Sequence, residues 1–437
     1  MVFLSSEVCT VLERRWVELT DPRILSLLLL HADKLTPQLV NRLEDRVQDT
    51  AEDMVVCDIV NILTSLGKTG RRNMPVLRSL GFHLAKKRSF LDIKQIADIL
   101  FAFNRVSFKE QDTLERILSS LEPLLSTNNK TAVVRSILTS LGQLKLSNPP
   151  VLDAVCDWFD KRLSETRGVE PRDISTLLLT LANLNYTPPE REQFLKKCSS
   201  LVKREDFLSL PRGEQIWVDI VWSLVNLNIA TSEQISSVLE NKFFTKIIES
   251  DDKYTSLKLL NINAAAQLLN KDYKGASINL TENGHLSEIS LSPSVQKTKL
   301  KKFMFETLST LFPPPRFISE DVKTGLGFTM DAEIIVDSFA KPLQIEQYSV
   351  LPGTNKPPKE LPKGATKVAL FINPFQESLI GGGLTGTTNL NVRLAEAKGY
   401  RALVLDYRTI DASMKTISRV QKIDALVKQT ISKQNQS

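Results

Sequence analysis

Cysteine and histidine are scarce and widely separated in this chain of 437 residues. The four cysteines show no CxxC spacing, and the three histidines lie far from one another along the chain. Disulfide scaffolds, zinc fingers and histidine-rich metal sites all need such residues in clusters, so the sequence excludes these classes. We therefore expect no metal and no cofactor.

Long apolar runs are also missing. The longest, Ile24–Leu30, is far too short to cross about 30 Å of hydrocarbon. Hydrophobic residues make up 42% of the chain and charged residues 24%, which is typical of folded globular proteins and argues against wholesale disorder. We predict a folded protein with no membrane span, long enough for about three domains of roughly 150 residues.

The net charge of +6 is unevenly distributed. Residues 1–250 carry 32 Lys and Arg against 32 Asp and Glu, whereas residues 251–437 carry 24 against 18. A cationic excess of this size suits contact with a polyanion, but it is also common on ordinary proteins. Charge alone does not select a partner.

One apolar pattern recurs through the first 250 residues. Its copies contain a small or hydroxyl residue at spacings of 37, 38, 40 and 43, and four of them continue into a similar tail (FNRVSF, LGQLKL, LANLNY, LVNLNI). A weaker sixth copy surrounds His31. The five clear copies are Ile59–Leu66, Ile96–Phe103, Val134–Leu141, Ile174–Leu181 and Trp217–Leu224, with Ser65, Ala102, Ser140, Thr180 and Ser223 at the small position.

Each copy has the i, i+3, i+4, i+7 spacing of a helix and precedes a second helical stretch, such as Glu110–Leu125 or Pro150–Leu163. A single hairpin of about 40 residues cannot bury its apolar face, so the hairpins must stack. The sequence therefore predicts a mainly α protein whose residues 1–269 form an α-solenoid with an extended concave surface.

A solenoid groove can hold a nucleic acid, a peptide or a protein. Polar residues of the first helices either read bases one repeat at a time or form the solvated face of amphipathic helices. Three tryptophans either stack on bases or pack between repeats. These candidates are Asn61, Asp98, Arg135 and Thr176 for the polar set and Trp158, Trp217 and Trp222 for the aromatic set.

Periodicity fails over residues 270–302, which are enriched in Gly, Ser, Asn and Thr and predict a flexible connector. The connector ends in a basic cluster of Lys297, Lys299, Lys301 and Lys302. A helix is predicted over Phe303–Phe312, where three consecutive prolines stop it.

Beyond this helix, residues 303–437 predict a small α/β domain. Four runs are rich in Val, Ile and Phe, which is typical of strands. Helices are predicted over Leu384–Lys398 and Met414–Ser432. The four strand-like runs are Phe328–Asp337, Leu343–Tyr348, Lys367–Ile372 and Arg401–Leu405.

This order of elements resembles the core of restriction-endonuclease-like nucleases. In such nucleases carboxylates on two adjacent strands hold a divalent ion beside the scissile phosphate. Asp331, with Glu333 two residues later, could supply the first ligand, but the next strand reads KVALFINP and has no carboxylate. Phosphodiester cleavage is therefore not expected, and a metal-dependent endoribonuclease that uses Asp331 and Glu333 is the alternative.

The whole chain resembles the Fas-activated serine/threonine kinase (FASTK) family of mitochondrial RNA regulators, in which helical repeats precede a C-terminal RAP domain. The segments that carry the resemblance are RNMPVLRSLGFHL, IADILFAFNRVSF and MDAEIIVD. Despite the family name, the chain lacks the glycine-rich loop, HRD and DFG motifs of protein kinases.

The RAP resemblance is partial. The positions that match the RAP pattern are Asp331, Leu384, Arg393, Leu394, Gly399, Tyr400 and Tyr407. The chain departs from the pattern at Phe371, Asn373, Pro374 and Asn391 and lacks the terminal Trp. The resemblance implies a nuclease-derived fold that binds RNA without hydrolysis.

The resemblance further implies a non-catalytic regulator of transcript stability and processing in the mitochondrial matrix. Its expected partners are mitochondrial mRNA or precursor transcripts and RNA-processing proteins, with no membrane; a protein-binding scaffold is a further alternative. The predicted RNA-binding residues are Lys297, Lys299, Lys301, Lys302, Asp331, Asn373, Arg393, Tyr400 and Tyr407.

The first residues of the chain do not read as a matrix presequence. Such a signal is Arg-rich and poor in acidic residues, but Glu7 and Glu13 come early here. We expect that the natural protein extends beyond this N-terminus.

Overall fold

The computed structural model describes residues 6–87, 91–165, 168–349 and 359–432. The chain divides into two compact units, residues 1–194 and residues 195–437. The first unit is helical, and the second combines helices with a four-stranded sheet.

The first unit consists of helical hairpins. Its helices α2, α4, α6, α9 and α11 pack consecutively on one another and are called the first helices. The bounds are α1 Ser6–Arg15, α2 Pro22–Leu29, α3 Pro37–Thr50, α4 Val56–Thr69, α5 Met74–Lys86, α6 Ile93–Arg105, α7 Gln111–Leu118, α8 Leu121–Thr127, α9 Thr131–Leu144, α10 Pro149–Ser164 and α11 Pro171–Asn183, with short 3-10 helices at Trp16–Glu18 and Ala32–Lys34. The predicted helical repeats are therefore present.

Local sequence explains where several of these helices begin. The Asn148 side chain accepts a hydrogen bond from the Val151 N–H, and Pro149 occupies the first helical position of α10, where a missing N–H costs nothing. Asp92 and Gln95 form a capping box at the start of α6. The stretch predicted as one helix over Glu110–Leu125 is instead split into α7 and α8.

Small residues allow consecutive first helices to approach closely. Ser65 on α4 donates a hydrogen bond to the Leu29 carbonyl of α2, and Thr180 on α11 donates one to the Leu138 carbonyl of α9 over 3.1 Å. Two residues after Ser65, a Cβ on Gly67 would lie 2.6 Å from the Cα of Ala102. The repeated small residue therefore marks the line along which the repeats touch.

The six residues that begin with the last residue of each clear copy close its helix with a Schellman cap. In every copy the fifth tail residue has a left-handed backbone, and the N–H of the sixth bonds to the carbonyl of the first. These bonds join Arg71 to Leu66, Phe108 to Phe103, Leu146 to Leu141, Tyr186 to Leu181 and Ile229 to Leu224. The left-handed residues are Gly70, Ser107, Lys145, Asn185 and Asn228.

The second unit begins within α12 and contains the remaining elements. Its helices are α12 Glu192–Leu201, α13 Glu205–Leu208, α14 Gly213–Asn226, α15 Ser232–Leu239, α16 Asn241–Glu249, α17 Lys253–Leu268, α18 Gly284–Ser287, α19 Val295–Leu311, α20 Ile345–Tyr348, α21 Gly386–Ala397 and α22 Thr416–Ser432, with a 3-10 helix at Phe375–Glu377. Its strands are β1 Ile318–Lys323, β2 Thr329–Val336, β3 Thr366–Asn373 and β4 Arg401–Asp406.

The four strands lie in the order β1-β2-β3-β4. Strands β1 and β3 are each antiparallel to β2, and β4 is parallel to β3. One face of the sheet packs against α19 and α22 around Ile334, Leu370 and Leu405. The other face, which includes Ala369 and Phe371, packs against Ala395 of α21.

The structure corrects three predictions for this unit. Strand β1 was not predicted, because its sequence ISEDVK is mostly polar and forms no apolar run. Residues 343–348, predicted as a strand, instead contain the short helix α20. Helix α19 begins at Val295 rather than Phe303, because Ser294 caps it by accepting a hydrogen bond from the Lys297 N–H. The basic cluster of the predicted connector is therefore helical.

Within the second unit, the loop between β1 and β2 and helix α21 contact α14 and α17. Asn261 of α17 donates a hydrogen bond to the Leu326 carbonyl over 2.7 Å and accepts one from the Trp222 indole of α14. A Cβ on Gly327 would lie 2.3 Å from the Leu257 carbonyl oxygen, and this residue also has a left-handed backbone. The loop between β1 and β2 therefore requires glycine at position 327.

Replacing Gly67 by alanine tests the close approach of α4 and α6. We expect Gly67→Ala to lower the free energy of unfolding by about 1–3 kcal/mol, because the new methyl group meets backbone atoms of Ala102. Gly142→Ala is the matched control, since its Cβ would lie 3.5 Å from the Thr180 hydroxyl. That control should be neutral or stabilising by up to about 1 kcal/mol in chemical denaturation. Equal losses in both variants would contradict this account.

Candidate nucleic-acid interface

The carboxyl ends of β3 and β4 and the residues that follow them form what we call the carboxyl edge. Strands β1, β3 and β4 run in one direction, so their carboxyl ends meet there. Helices α21 and α22 follow β3 and β4, so both begin on this side, and α19 begins near it, because Lys297 contacts Glu377 just beyond β3. Three helix N-termini thus lie toward one end of the sheet, where backbone N–H groups favour anions. The residues of the carboxyl edge used below are Asn373, Phe375, Glu377, Gly382, Tyr407 and Arg408.

A lysine lies between two carboxylates at this edge. The Lys297 ammonium is 3.3 Å from an Asp331 oxygen and 3.6 Å from a Glu377 oxygen. Its side chain is 22% exposed. The first lysine of the basic cluster is therefore held by internal ion pairs.

Asp331 of β2 is buried, with 5% exposure, at the point where the side chains of this strand stop alternating regularly between the two faces. Met330 and Ala332 are two residues apart yet pack on opposite faces of the sheet, so strand alternation fails between them. The Asp331 carboxylate accepts the Ile372 N–H over 2.7 Å. Burial raises the pKa of Asp331, although Lys297 and the Ile372 N–H act in the opposite direction.

Glu333 has a separate set of partners. Its carboxylate accepts the Ser349 hydroxyl over 2.7 Å and lies 3.8 Å from the Lys367 ammonium. Burial raises the pKa of the Tyr400 phenol, and Glu333 raises it further by accepting its hydrogen bond. Among the described residues no group of three or more His, Cys, Asp or Glu side chains is arranged to hold a metal ion. The structure does not bring Asp331 and Glu333 together with a third ligand.

An aromatic and cationic corner is exposed beside these carboxylates. The Phe375 ring, 41% exposed, meets the Tyr407 ring edge-on at 5.4 Å. The Arg408 guanidinium lies 5.3 Å from the Tyr407 ring centroid and donates to Asp406 over 2.8 Å. Gly382 has a left-handed backbone, and a Cβ there would lie 2.4 Å from an Arg408 nitrogen. Glycine at 382 therefore makes room for the arginine.

The other lysines of the cluster differ in exposure. Lys301 pairs with Asp321 over 2.7 Å and is largely covered, whereas Lys299 and Lys302 on the same helix are exposed. Asn373 is buried, and its amide donates to the Ser378 hydroxyl over 2.9 Å. Of the predicted set, Lys299, Lys302 and Tyr407 are the residues placed to meet a ligand, and their contact with RNA stays a prediction.

Arg393 lies on α21 and faces the end of α14. It donates to the Asn226 carbonyl over 3.1 Å and to the Asn228 side chain, the left-handed residue of the last Schellman cap. A guanidinium at a helix C-terminus satisfies carbonyls that lack an intrahelical partner. Burial lowers the pKa of Arg393. Its position in the structure is that of a contact between the α/β layer and the helical layer.

The residues predicted to line the solenoid groove differ in burial. Asn61, Asp98 and Thr176 are partly exposed, and Arg135 pairs with the buried Asp173 over 2.7 Å. The three tryptophans are buried, so they pack in the core as the second of the two alternatives predicted. No helix within the described ranges has both the length and the apolar composition to cross a bilayer.

Comparison with known proteins places this chain among relatives. Family models named FAST kinase-like protein, subdomain 1 and subdomain 2, match residues 174–248 and 256–344. FAST kinase domain-containing protein 4 of Rattus norvegicus is 28% identical over 84% of this chain and 58% of that protein, and its Mus musculus counterpart is 29% identical over the same shares. FAST kinase domain-containing protein 5, mitochondrial, of Mus musculus is 20% identical over 76% of this chain and 44% of that protein.

These matches support membership of the chain in the FAST kinase family. The matched family regions run from α11 to α16 and from α17 to just beyond β2, so they include both helical repeats and part of the sheet. The chain spans 58% of the length of the protein 4 relatives named above. The family assignment predicted from the sequence is confirmed.

Phe375, Glu377 and Arg408 of the carboxyl edge were not predicted as site residues. Phe375 and Glu377 follow β3 in the 3-10 helix, where no periodic pattern draws attention to them. Arg408 directly follows Tyr407. Its position after the last strand is the signal that could have identified it, since ligands of α/β sheets bind at the carboxyl ends of the strands.

Truncating Arg393 tests its structural role. We expect Arg393→Ala to lower the free energy of unfolding by about 1–3 kcal/mol, because the Asn226 carbonyl and the Asn228 amide lose their partner. Arg408→Ala should cost less than about 0.5 kcal/mol, since that side chain is 50% exposed and its ion pair with Asp406 lies at the surface. Chemical denaturation of the two variants measures both effects. A larger loss in Arg408→Ala would contradict these roles.

The raised pKa of Asp331 predicts a pH-dependent effect of Asp331→Asn. Below about pH 3.9 the Asp331 carboxyl is protonated in both the folded and the unfolded state. The stability that the protonated carboxyl contributes to the folded state is lost as the pH rises through its raised native pKa. Asparagine does not titrate, so the stability of the variant relative to the parent should increase between pH 4 and pH 8. Denaturation across this range measures the difference. A relative stability that falls with pH would mean that the Lys297 pair dominates instead.

Proposed function

We propose that this FAST kinase family member binds RNA without cutting it and thereby regulates the stability and processing of mitochondrial transcripts. The observation that carries the proposal is the composition of the carboxyl edge. An exposed aromatic ring, an arginine and three helix N-termini lie on the side of the sheet where α/β folds bind ligands.

Each part of the carboxyl edge suits one part of a nucleotide. Phe375 and Tyr407 offer ring faces and edges for base stacking, which tolerates any base. Arg408, together with Lys299 and Lys302 of α19, offers cations for phosphates. Helix N-termini add N–H donors that favour the same anions.

The position of Lys297 supports binding without hydrolysis. A two-carboxylate nuclease needs its acidic pair free to hold a divalent cation. Here the ammonium of Lys297 lies within 3.6 Å of both Asp331 and Glu377 and occupies the position between them, and β3 carries no carboxylate to replace either. We therefore propose that the chain is not an enzyme.

The order of elements supports a nuclease-derived RAP fold for this domain. A helix, an antiparallel run of three strands, a helix, a parallel fourth strand and a final helix follow one another in α19, β1 to β3, α21, β4 and α22. A matrix location is proposed on a different ground, since a relative from Mus musculus bears the word mitochondrial in its name.

An RNA-binding titration tests the proposal. The purified chain is titrated with labelled single-stranded RNA from low to high salt with magnesium present, and the RNA is then examined on a denaturing gel. We expect intact RNA and an affinity that falls steeply with salt. Lys299→Gln/Lys302→Gln should reduce the salt slope by about 1.4, two phosphate contacts at about 0.7 each.

Lys242→Gln/Lys246→Gln is the matched control, because it removes two exposed lysines from the single helix α16. An equal loss in this control would mean that Lys299 and Lys302 contribute only net charge. Absence of RNA binding at low salt would refute the proposal. Cleavage that stops in Asp331→Ala would establish the nuclease alternative.

A further inference from the structure

One stripe on each of the helices α4, α6, α9 and α11 faces solvent. Counted from the repeated small residue, it comprises the positions eight and four residues before, one before and three after, which share one helix face. None of these residues is buried. They are Cys57, Asn61, Thr64 and Lys68 on α4; Lys94, Asp98, Phe101 and Arg105 on α6; Ala132, Ser136, Thr139 and Gln143 on α9; and Arg172, Thr176, Leu179 and Asn183 on α11.

The stripe differs in charge from the chain around it. Residues 1–250 are neutral overall, whereas the sixteen stripe residues include four cations and only one anion, Asp98. That anion is already paired with Lys94 over 3.0 Å. The cations lie toward the two ends of the helices, and the middle is occupied by Asp98, Phe101, Leu179 and five polar uncharged residues.

The row after the small residue is composed of hydrogen-bond donors. It reads Lys68, Arg105, Gln143 and Asn183, one residue from each consecutive helix, and none is a carboxylate. Packed helices lie about 8–10 Å apart, so this row presents donors at regular intervals across the repeats. A regular row of donors with net positive charge complements a chain of phosphates.

The centre of the stripe offers an aromatic surface. Phe101 is 39% exposed although it lies on a helix whose neighbouring apolar residues, Leu100 and Phe103, are fully buried. An exposed ring between cationic ends matches a base between phosphates, whereas a peptide partner would not require the bias against carboxylates.

We propose that the exposed stripe of α4, α6, α9 and α11 is a second RNA site, which holds single-stranded RNA across consecutive repeats. Lys68 and Arg105 contact phosphates, and Phe101 stacks on a base. This inference rests on the proposed function, because it adds a second contact surface for the same ligand. It lies in the first unit, so it can fail separately from the carboxyl edge.

Neutralising the stripe is the decisive experiment. The probe is a labelled polyuridine oligonucleotide titrated into the full chain at several salt concentrations. Lys68→Gln/Arg105→Gln should weaken binding by about tenfold at low salt and reduce the salt slope by about 1.4. Phe101→Leu, which keeps an apolar side chain but removes the ring, should weaken binding by about fivefold or more with an unchanged salt slope.

Lys86→Gln/Lys161→Gln is the matched control, since it removes two exposed lysines from the second helices α5 and α10. Circular dichroism melts confirm that every variant remains folded. Equal slopes for the stripe variant and this control would overturn the inference. In that case, loss of binding in Lys299→Gln/Lys302→Gln would leave the proposed function intact, whereas a parent chain that binds no RNA would remove both. Binding of a protein partner that the stripe variant abolishes, with RNA affinity unchanged, would assign the stripe to a protein instead.

Discussion

The close contact between consecutive first helices is the constraint on which the first unit depends. Each inner first helix contacts the first helix on either side of it, so two of its faces are occupied by this packing. Ser65, Gly67 and Ala102 keep the lateral faces thin enough for backbones to meet. The exposed stripe described above lies away from these contacts and is available to a partner.

In the second unit, paired helices also pack closely, and they contact the α/β layer. Helices α14 and α17 contact each other as first helices do, and the α/β layer then covers them through α21 and the loop between β1 and β2. Arg393 and Asn261 make the polar part of this contact, and Gly327 makes the close one. The second family region extends across this junction, so it follows a packed interface rather than one kind of secondary structure.

Much of this architecture could be predicted from the sequence because burial imposes periodicity. The first helices repeat apolar residues at the helix period, and β2, β3 and β4 are runs rich in Val, Ile, Leu and Phe, so both patterns are recognisable in the sequence. Strand β1 shows no such pattern, because one side of this edge strand faces solvent. The roles of Lys297 and Arg393 could not be read, since each depends on partners 34 or more residues away that only the fold brings near. Of the carboxyl edge, only Asn373 and Tyr407 were predicted as site residues, both by alignment with the family pattern, which Tyr407 matches and Asn373 does not.

The Schellman caps carry a consequence for how such repeats diversify. Each cap is held by a backbone bond from the sixth tail residue to the first, and the left-handed position is occupied by glycine, serine, lysine or asparagine without loss of that bond. Main-chain hydrogen bonds thus fix where the helix of each repeat ends, so the nearby side chains are not needed to end it. A lineage can therefore exchange residues beside the caps one repeat at a time and acquire a new ligand preference while inheriting an unchanged scaffold.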